Sequence, residues 1–299
     1  PKLAAGPFVG YPRVFGVAWA FVAHTDSRFD PAMLRRFVRA YQRVQPLTIG
    51  ELWAVAITLR IVLVENLRRG ARRIVMSRAA RQEADALAER LLGPNAPPAG
   101  QIAPLLQRYA AAPLSESFAV QLVQRLRDLD PKATPALAWL EERLAAQGKT
   151  VDQIVHDEHQ RQGATNVTVR NIITSMRLIS DVDWADLVES VSLIDDTLRP
   201  VSGFAQMDFA TRNLYRSAIE ELARGSKRSE LEIAQAALTA ATGTERERDP
   251  GYRLIAGGRR AFEAALGYRA PIRSWPGRFT HTIGIGGYIG AVAVVAAIV

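Results

Sequence analysis

Apolar residues recur along this chain at helical rather than strand spacing. After Asp30-Pro31, which reads as an N-cap and first helical residue, Leu34, Phe37, Val38 and Tyr41 stand at i, i+3, i+4 and i+7, the stripe of one helix face, and Pro46 sets the far limit. Thr48 and Glu51 form a capping-box pair, and Leu52, Val55, Ala56, Leu59, Leu63 and Leu67 then hold one face for several turns. The opposite side is also apolar at Ile57, Ile61, Val62 and Val64. That predicts a central core helix buried nearly all round until Arg68 returns it to water.

The stretch 93–100, GPNAPPAG, cannot continue a helix and reads as a linker or long loop. Beyond it, helices are expected at 101–112, 115–128, 135–147 and 151–161, the last opened by a second capping box of Thr150 and Gln153. Another runs through 165–180 on Val169, Ile172, Ile173, Met176 and Ile179. Asp183 caps the next, which carries Leu187, Val188, Val191, Leu193 and Ile194; helices at 208–224 and 230–241 follow, the second opened by Ser229 with Glu232. Strand alternation, an Asn-Gly hairpin and a fixed-period repeat are all missing from the sequence. The fold class is therefore all-α, a multi-helix cytosolic region with helical subdomains over 1–92 and 101–278, which can also close as one domain.

From Phe279 to Val299 no Asp, Glu, Lys or Arg occurs, and the stretch is mostly Ile, Val, Ala and Gly. At about 1.5 Å per helical residue that length spans a hydrocarbon core, which predicts the start of a transmembrane helix over 279–299. Arg269, Arg273 and Arg278 precede it, so the positive-inside rule places the preceding region on the cytoplasmic side of the membrane. Gly284, Gly286, Gly287 and Gly290 do not fit a nucleotide-binding glycine fingerprint; Gly286 and Gly290 instead make a small-xxx-small ridge for packing another membrane helix. The competing reading of the run is a buried C-terminal helix. Neither an initiator Met nor a signal peptide opens the chain, which reads as a piece of a longer protein.

Composition narrows the chemistry. The 299 residues, 48% of them hydrophobic, suffice for a real core, and no cysteine is present for disulfides or thiolate metal sites. The net charge of +8 rests on arginine, because Lys2, Lys132, Lys149 and Lys227 are the only lysines. A basic excess suits nucleic acid, anionic lipid or an anionic nucleotide-sugar. Zinc-finger spacing, an aromatic RNP-type stripe and a polybasic tail are all missing, so nucleic acid is not an expected partner.

Four short constellations invite functional readings. Asp181-Val182-Asp183 looks like a metal-binding Asp-x-Asp, but it falls between two amphipathic helices, where Asp serves as an N-cap. His156-Asp157-Glu158-His159 does not have HExxH spacing and reads as a solvated polar face; no metal site is expected. His24, before Thr25-Asp26, belongs to a helix end. The segment from Met207 to Tyr215 mixes aromatic, acidic and basic groups, and Asp208, Arg212 and Tyr215 are the candidate glycan contacts, against the alternative of a helix cap with a buried tyrosine.

Several blocks carry a family resemblance: AHTD at Ala23–Asp26, FVRAYQ at Phe37–Gln42, LTIGELWA at Leu47–Ala54 and ENLRR at Glu65–Arg69. VTVRNIITSMRLISDVDW from Val167, MDFATRNLYRSAIEELAR from Met207 and GYRLI from Gly251 follow in the same order, while Arg90–Ala146 matches least. Together they resemble the N-terminal region of bacterial cyclic β-1,2-glucan synthases. The resemblance implies a membrane glycosyltransferase that takes glucose from UDP-glucose, with a divalent metal, builds a β-1,2-linked chain and closes it into a ring. It also implies a separate inverting transferase domain after the first membrane helices and a phosphorylase-like region far downstream. Neither the strand-borne Asp-x-Asp nor the Gln-x-x-Arg-Trp element of such transferases stands in this sequence. The expectation is thus a non-catalytic scaffold without a cofactor of its own, partnered by the transferase domain of the same chain, nascent β-1,2-glucan and membrane lipid. The alternative is a membrane-anchored helical interaction or regulatory domain with no sugar chemistry. An independent helical sugar hydrolase is disfavoured, because no carboxylate pair can be assigned acid and base roles.

Overall fold

Side-chain caps set the helix boundaries. In the computed structural model, which describes residues 1–92, 102–109, 113–127, 134–200 and 202–269, Asp30 accepts from Met33 N at 2.9 Å and Glu51 closes the capping box on Thr48 N at 2.9 Å. Thr150, Asp183, Ser192, Asp208, Ser229 and Asp249 each accept a backbone N–H at the start of a helix. Thirteen α-helices result among the described residues: α1 Arg13–His24, α2 Pro31–Gln42, α3 Ile49–Leu92, α4 Ile102–Gln107, α5 Glu116–Arg127, α6 Thr134–Ala146, α7 Val151–Asp181, α8 Trp184–Val191, α9 Leu193–Leu198, α10 Phe209–Gly225, α11 Glu230–Ala240, α12 Pro250–Leu254 and α13 Arg259–Leu266. No strand occurs among them, only an isolated bridge between Lys2 and Pro12. No helix among the described residues is long and apolar enough to cross a membrane. The expected linker at 93–100 and the apolar run at 279–299, with Gly286 and Gly290, lie outside the described residues.

Three expectations need correction. The helix α3 is not buried all round: Leu52, Val55, Leu59 and Val62 form its buried stripe, whereas Ile57, Ile61 and Val64 are 52–54% exposed on a row of their own. Hydrophobicity alone does not say which face of a two-sided helix finds a partner. The helices expected at 151–161 and 165–180 are one, α7, running unbroken through Gly163. A mid-helix glycine costs only about 1 kcal/mol, which anchors at both ends, Ile154 and Ile179, offset. Conversely, the helix after Asp183 breaks at Ser192, whose hydroxyl starts α9 by accepting from Asp195 N at 3.2 Å.

The described residues form two compact units, each assembled from distant segments: one from the segments 1–34 and 55–182, the other from 35–54 and 183–269. In the first, α1 is followed by two left-handed non-glycine residues, Asp26 (φ 48°) and Ser27 (φ 63°). Such backbone persists only when its surroundings over-determine it. Asn66 Nδ2 donates to Ser27 Oγ at 2.7 Å, Ser175 Oγ donates to Ser27 O at 2.7 Å, and Phe29 N donates to Ser175 Oγ at 2.8 Å. Thr168 Oγ1 donates to the Asp26 carboxylate at 2.7 Å. A separate apolar cluster joins Leu87 and Leu91 of α3 to Phe118 and Leu122 of α5, Leu140 and Leu144 of α6, and Ile154 of α7.

In the second unit, Phe204, Ile219, Leu222, Ile233, Leu254 and Phe262 build the core. Inside it lies Arg216, only 1% exposed. Its Nε and Nη2 donate to the two oxygens of Asp195 at 3.0 and 2.6 Å, and Nη2 also donates to Glu189 at 2.6 Å. Asp195 is itself fully buried. Replacing Arg216→Met removes both of its bonds to Asp195 and leaves the buried carboxylate, among the described residues, only Ser192 Oγ at 3.0 Å and Arg199 at 3.6 Å, so stability should fall by about 3 kcal/mol, read as a lower urea midpoint.

Candidate functional site

The buried stripe at the start of α7 runs Val151, Ile154, Glu158, at i, i+3 and i+7. Helical pitch therefore forces one carboxylate into the apolar face, where Glu158 is 3% exposed. Its partners come from three helices. From α5, Ser117 Oγ donates at 2.9 Å; from α3, Arg81 Nη2 donates at 2.9 Å; from α7 itself, Gln162 Nε2 donates at 2.9 Å. Next to it, Glu116 at the start of α5 pairs with Lys149 and Arg161.

These groups line a cavity of about 980 Å³ bounded by α3, α5 and α7. Ile74, Met76 and Leu114 supply apolar wall, and Arg73 and Arg78 join the polar side. Burial by itself pushes the Glu158 carboxyl up, but hydrogen bonds from Gln162, Ser117 and Arg81 outweigh it and hold the group below its ordinary 4.5. Hydrogen bonds from Lys149 and Arg161 likewise lower Glu116. Both carboxylates are ionised at neutral pH. A glycoside-cleaving pair needs one of its two carboxyls kept protonated by a raised pKa, and neither meets that requirement. The arrangement suits holding a ligand with fixed charges.

The residues expected to contact glycan stand elsewhere, around the start of α10. Asp208 is its N-cap, accepting from Thr211 N at 2.7 Å. Arg212 forks onto Glu189 with two bonds of 3.0 Å and donates to Met207 O at 2.7 Å. Tyr215 is buried, donating its hydroxyl to Asp249 at 2.5 Å, and the same Asp249 oxygen accepts from Gly251 N at 2.7 Å. Gly251 is required there, because a Cβ would stand 2.1 Å from the tyrosine oxygen. The structure thus brings the three residues to one region and gives each an intramolecular partner.

Of the His156–His159 tetrad, His156 bonds Gln160 at 2.8 Å and both histidines are exposed. No group of three or more potential metal ligands occurs among the described residues. Asp183 caps α8, accepting from Asp186 N at 3.1 Å. Reading the tetrad as a uniformly solvated face missed Glu158. Its signal was legible in the spacing, since it continues the Val151 and Ile154 stripe. Nothing in the sequence pointed to Ser117 or Arg81, which reach the site from other segments.

Fold and site together define, among the described residues, an all-helical region with a charged cavity whose two carboxylates are both held ionised. No protein-family profile matches the chain. Over 281 residues, 91% of its length, the chain is 39% identical to the cyclic beta-(1,2)-glucan synthase NdvB of Rhizobium meliloti (strain 1021). The chain is therefore related to a cyclic β-1,2-glucan synthase, and it spans about a tenth of that relative, the match covering 10% of it.

The lowered Glu158 carboxyl makes a pH prediction. Because its folded pKa lies below the unfolded 4.5, its contribution to stability is present above that value and is lost as pH falls through the folded pKa. Glu158→Gln should lower stability at pH 7 by about 1–3 kcal/mol and flatten its decline in acid, as measured by denaturant midpoints across that range.

Proposed function

We propose that this chain is the helical region preceding the transferase domain of a membrane cyclic β-1,2-glucan synthase, and that it serves as a non-catalytic scaffold. In this reading it docks on the transferase domain of the same chain and guides the nascent glucan, while UDP-glucose and a divalent metal are handled by the transferase domain. The 39% identity running through 91% of the chain carries the proposal. The pair of ionised carboxylates in the cavity supports a binding rather than a bond-breaking role. Residues 279–299 would begin the first transmembrane helix, with the helical region at the cytoplasmic face of a bacterial inner membrane and against its lipid. Within this role, glucan contact would fall on exposed Asp208 before Arg212, which is committed to Glu189, or the buried Tyr215.

A second reading, a membrane-anchored interaction or regulatory domain, is favoured by the half-exposed row of Ile57, Ile61 and Val64, which suits an apolar partner surface. Deleting residues 1–278 from the full-length synthase and measuring glucan made from labelled UDP-glucose in membranes tests the scaffold. The expected outcome is less glucan, or altered chain length and cyclisation, at equal protein level; unchanged product removes the scaffold role. Ile61→Asp should reduce synthesis without lowering the melting temperature if that row is the docking face.

A further inference from the structure

The cavity between α3, α5 and α7 holds more positive charge and more donors than its own carboxylates use. Arg73, Arg78, Arg81, Lys149 and Arg161 line it against two acids, Glu116 and Glu158, an excess of three. Arg81, Lys149 and Arg161 already pair with those acids, but a lysine has three N–H donors and an arginine five, so each keeps capacity to spare. Gln147, which also lines the cavity, has a buried Nε2 that makes no hydrogen bond among the described residues. A buried amide donor without an acceptor is unfavourable, and a ligand oxygen would relieve it. The volume of about 980 Å³ is that of a small-molecule site.

We propose that this cavity binds a small phosphate-bearing anion. Its oxygens would take the donors of Gln147, Lys149 and Arg161, with Arg73 and Arg78 supplying the remaining charge and Ile74 and Met76 meeting the less polar part of the molecule. The charge excess calls for a multiply charged anion, and the arginine donors match phosphate oxygens. A carboxylate offsets one of the three surplus charges, whereas a phosphate ester or diphosphate offsets two or more. A neutral sugar offsets none, and among the described residues no aromatic ring lines the cavity for it to stack on. This proposal is independent of the scaffold reading, since it concerns binding by the helical region alone.

The test is calorimetric titration of the 299-residue chain with inorganic pyrophosphate at low and moderate salt. One-site binding that weakens as salt rises is expected. Gln147→Leu removes a donor without breaking an ion pair, and it should weaken binding about tenfold while leaving the melting temperature unchanged or higher. Arg73→Gln and Arg78→Gln should each weaken binding several-fold, whereas Arg246→Gln, in the other unit, should have no effect. Absence of binding up to about 1 mM would overturn the proposal. So would equal weakening by Arg246→Gln, which would mean attraction to net charge only. Binding of a β-1,2-linked glucose oligosaccharide that depends on Gln147 and that pyrophosphate does not displace would make the cavity a neutral-sugar site, and the anion assignment would fall.

Discussion

A charge placed inside a helical core has to be met there by its partners, because the desolvation it suffers is recovered only through close, well-aligned opposite charge. Arg216 and Glu158 show this, one in each unit. Arg216 on α10 is almost wholly buried and is held by Asp195 from α9 and Glu189 from α8, with Arg212 completing the fork onto Glu189. Those three helices cannot slide against one another without stranding a carboxylate. Glu158 does the same in the first unit, where its bonds reach α3 and α5 from α7. Apolar packing supplies most of the driving force in both units, but oily faces tolerate shifts in register that these ion pairs do not.

The blocks that carry the resemblance to glucan synthases have work to do inside the fold. The AHTD block ends in Asp26, first of the two left-handed residues, and the turn is clamped by Asn66 of ENLRR and by Thr168 and Ser175 of the VTVRNIITS block. FVRAYQ places Gln42 Nε2 2.8 Å from Val191 O, and LTIGELWA supplies the capping box of α3. MDFATRNLYR holds both the N-cap of α10 and Arg216, and GYRLI supplies the glycine that lets Tyr215 reach Asp249. These residues cap, clamp and neutralise.

Local chemistry determined the helical class and most element starts. The hydrogen bonds that Thr150, Asp183, Asp208 and Ser229 accept from backbone N–H groups three residues ahead need nothing beyond the adjacent sequence, so those boundaries were legible. The buried partners of Glu158 and Arg216 were not, because Ser117, Arg81 and Asp195 lie 21 to 77 residues away and no periodicity encodes such pairings. The same holds for α3, where the sequence offers two apolar faces and only the packing of other segments decides that Leu59 is covered and Ile61 is not. Tertiary structure also decided that α7 runs through Gly163 and that α8 stops at Ser192: anchoring at both ends of the long helix outweighs one glycine, and a buried hydroxyl cap outweighs an unbroken apolar stripe.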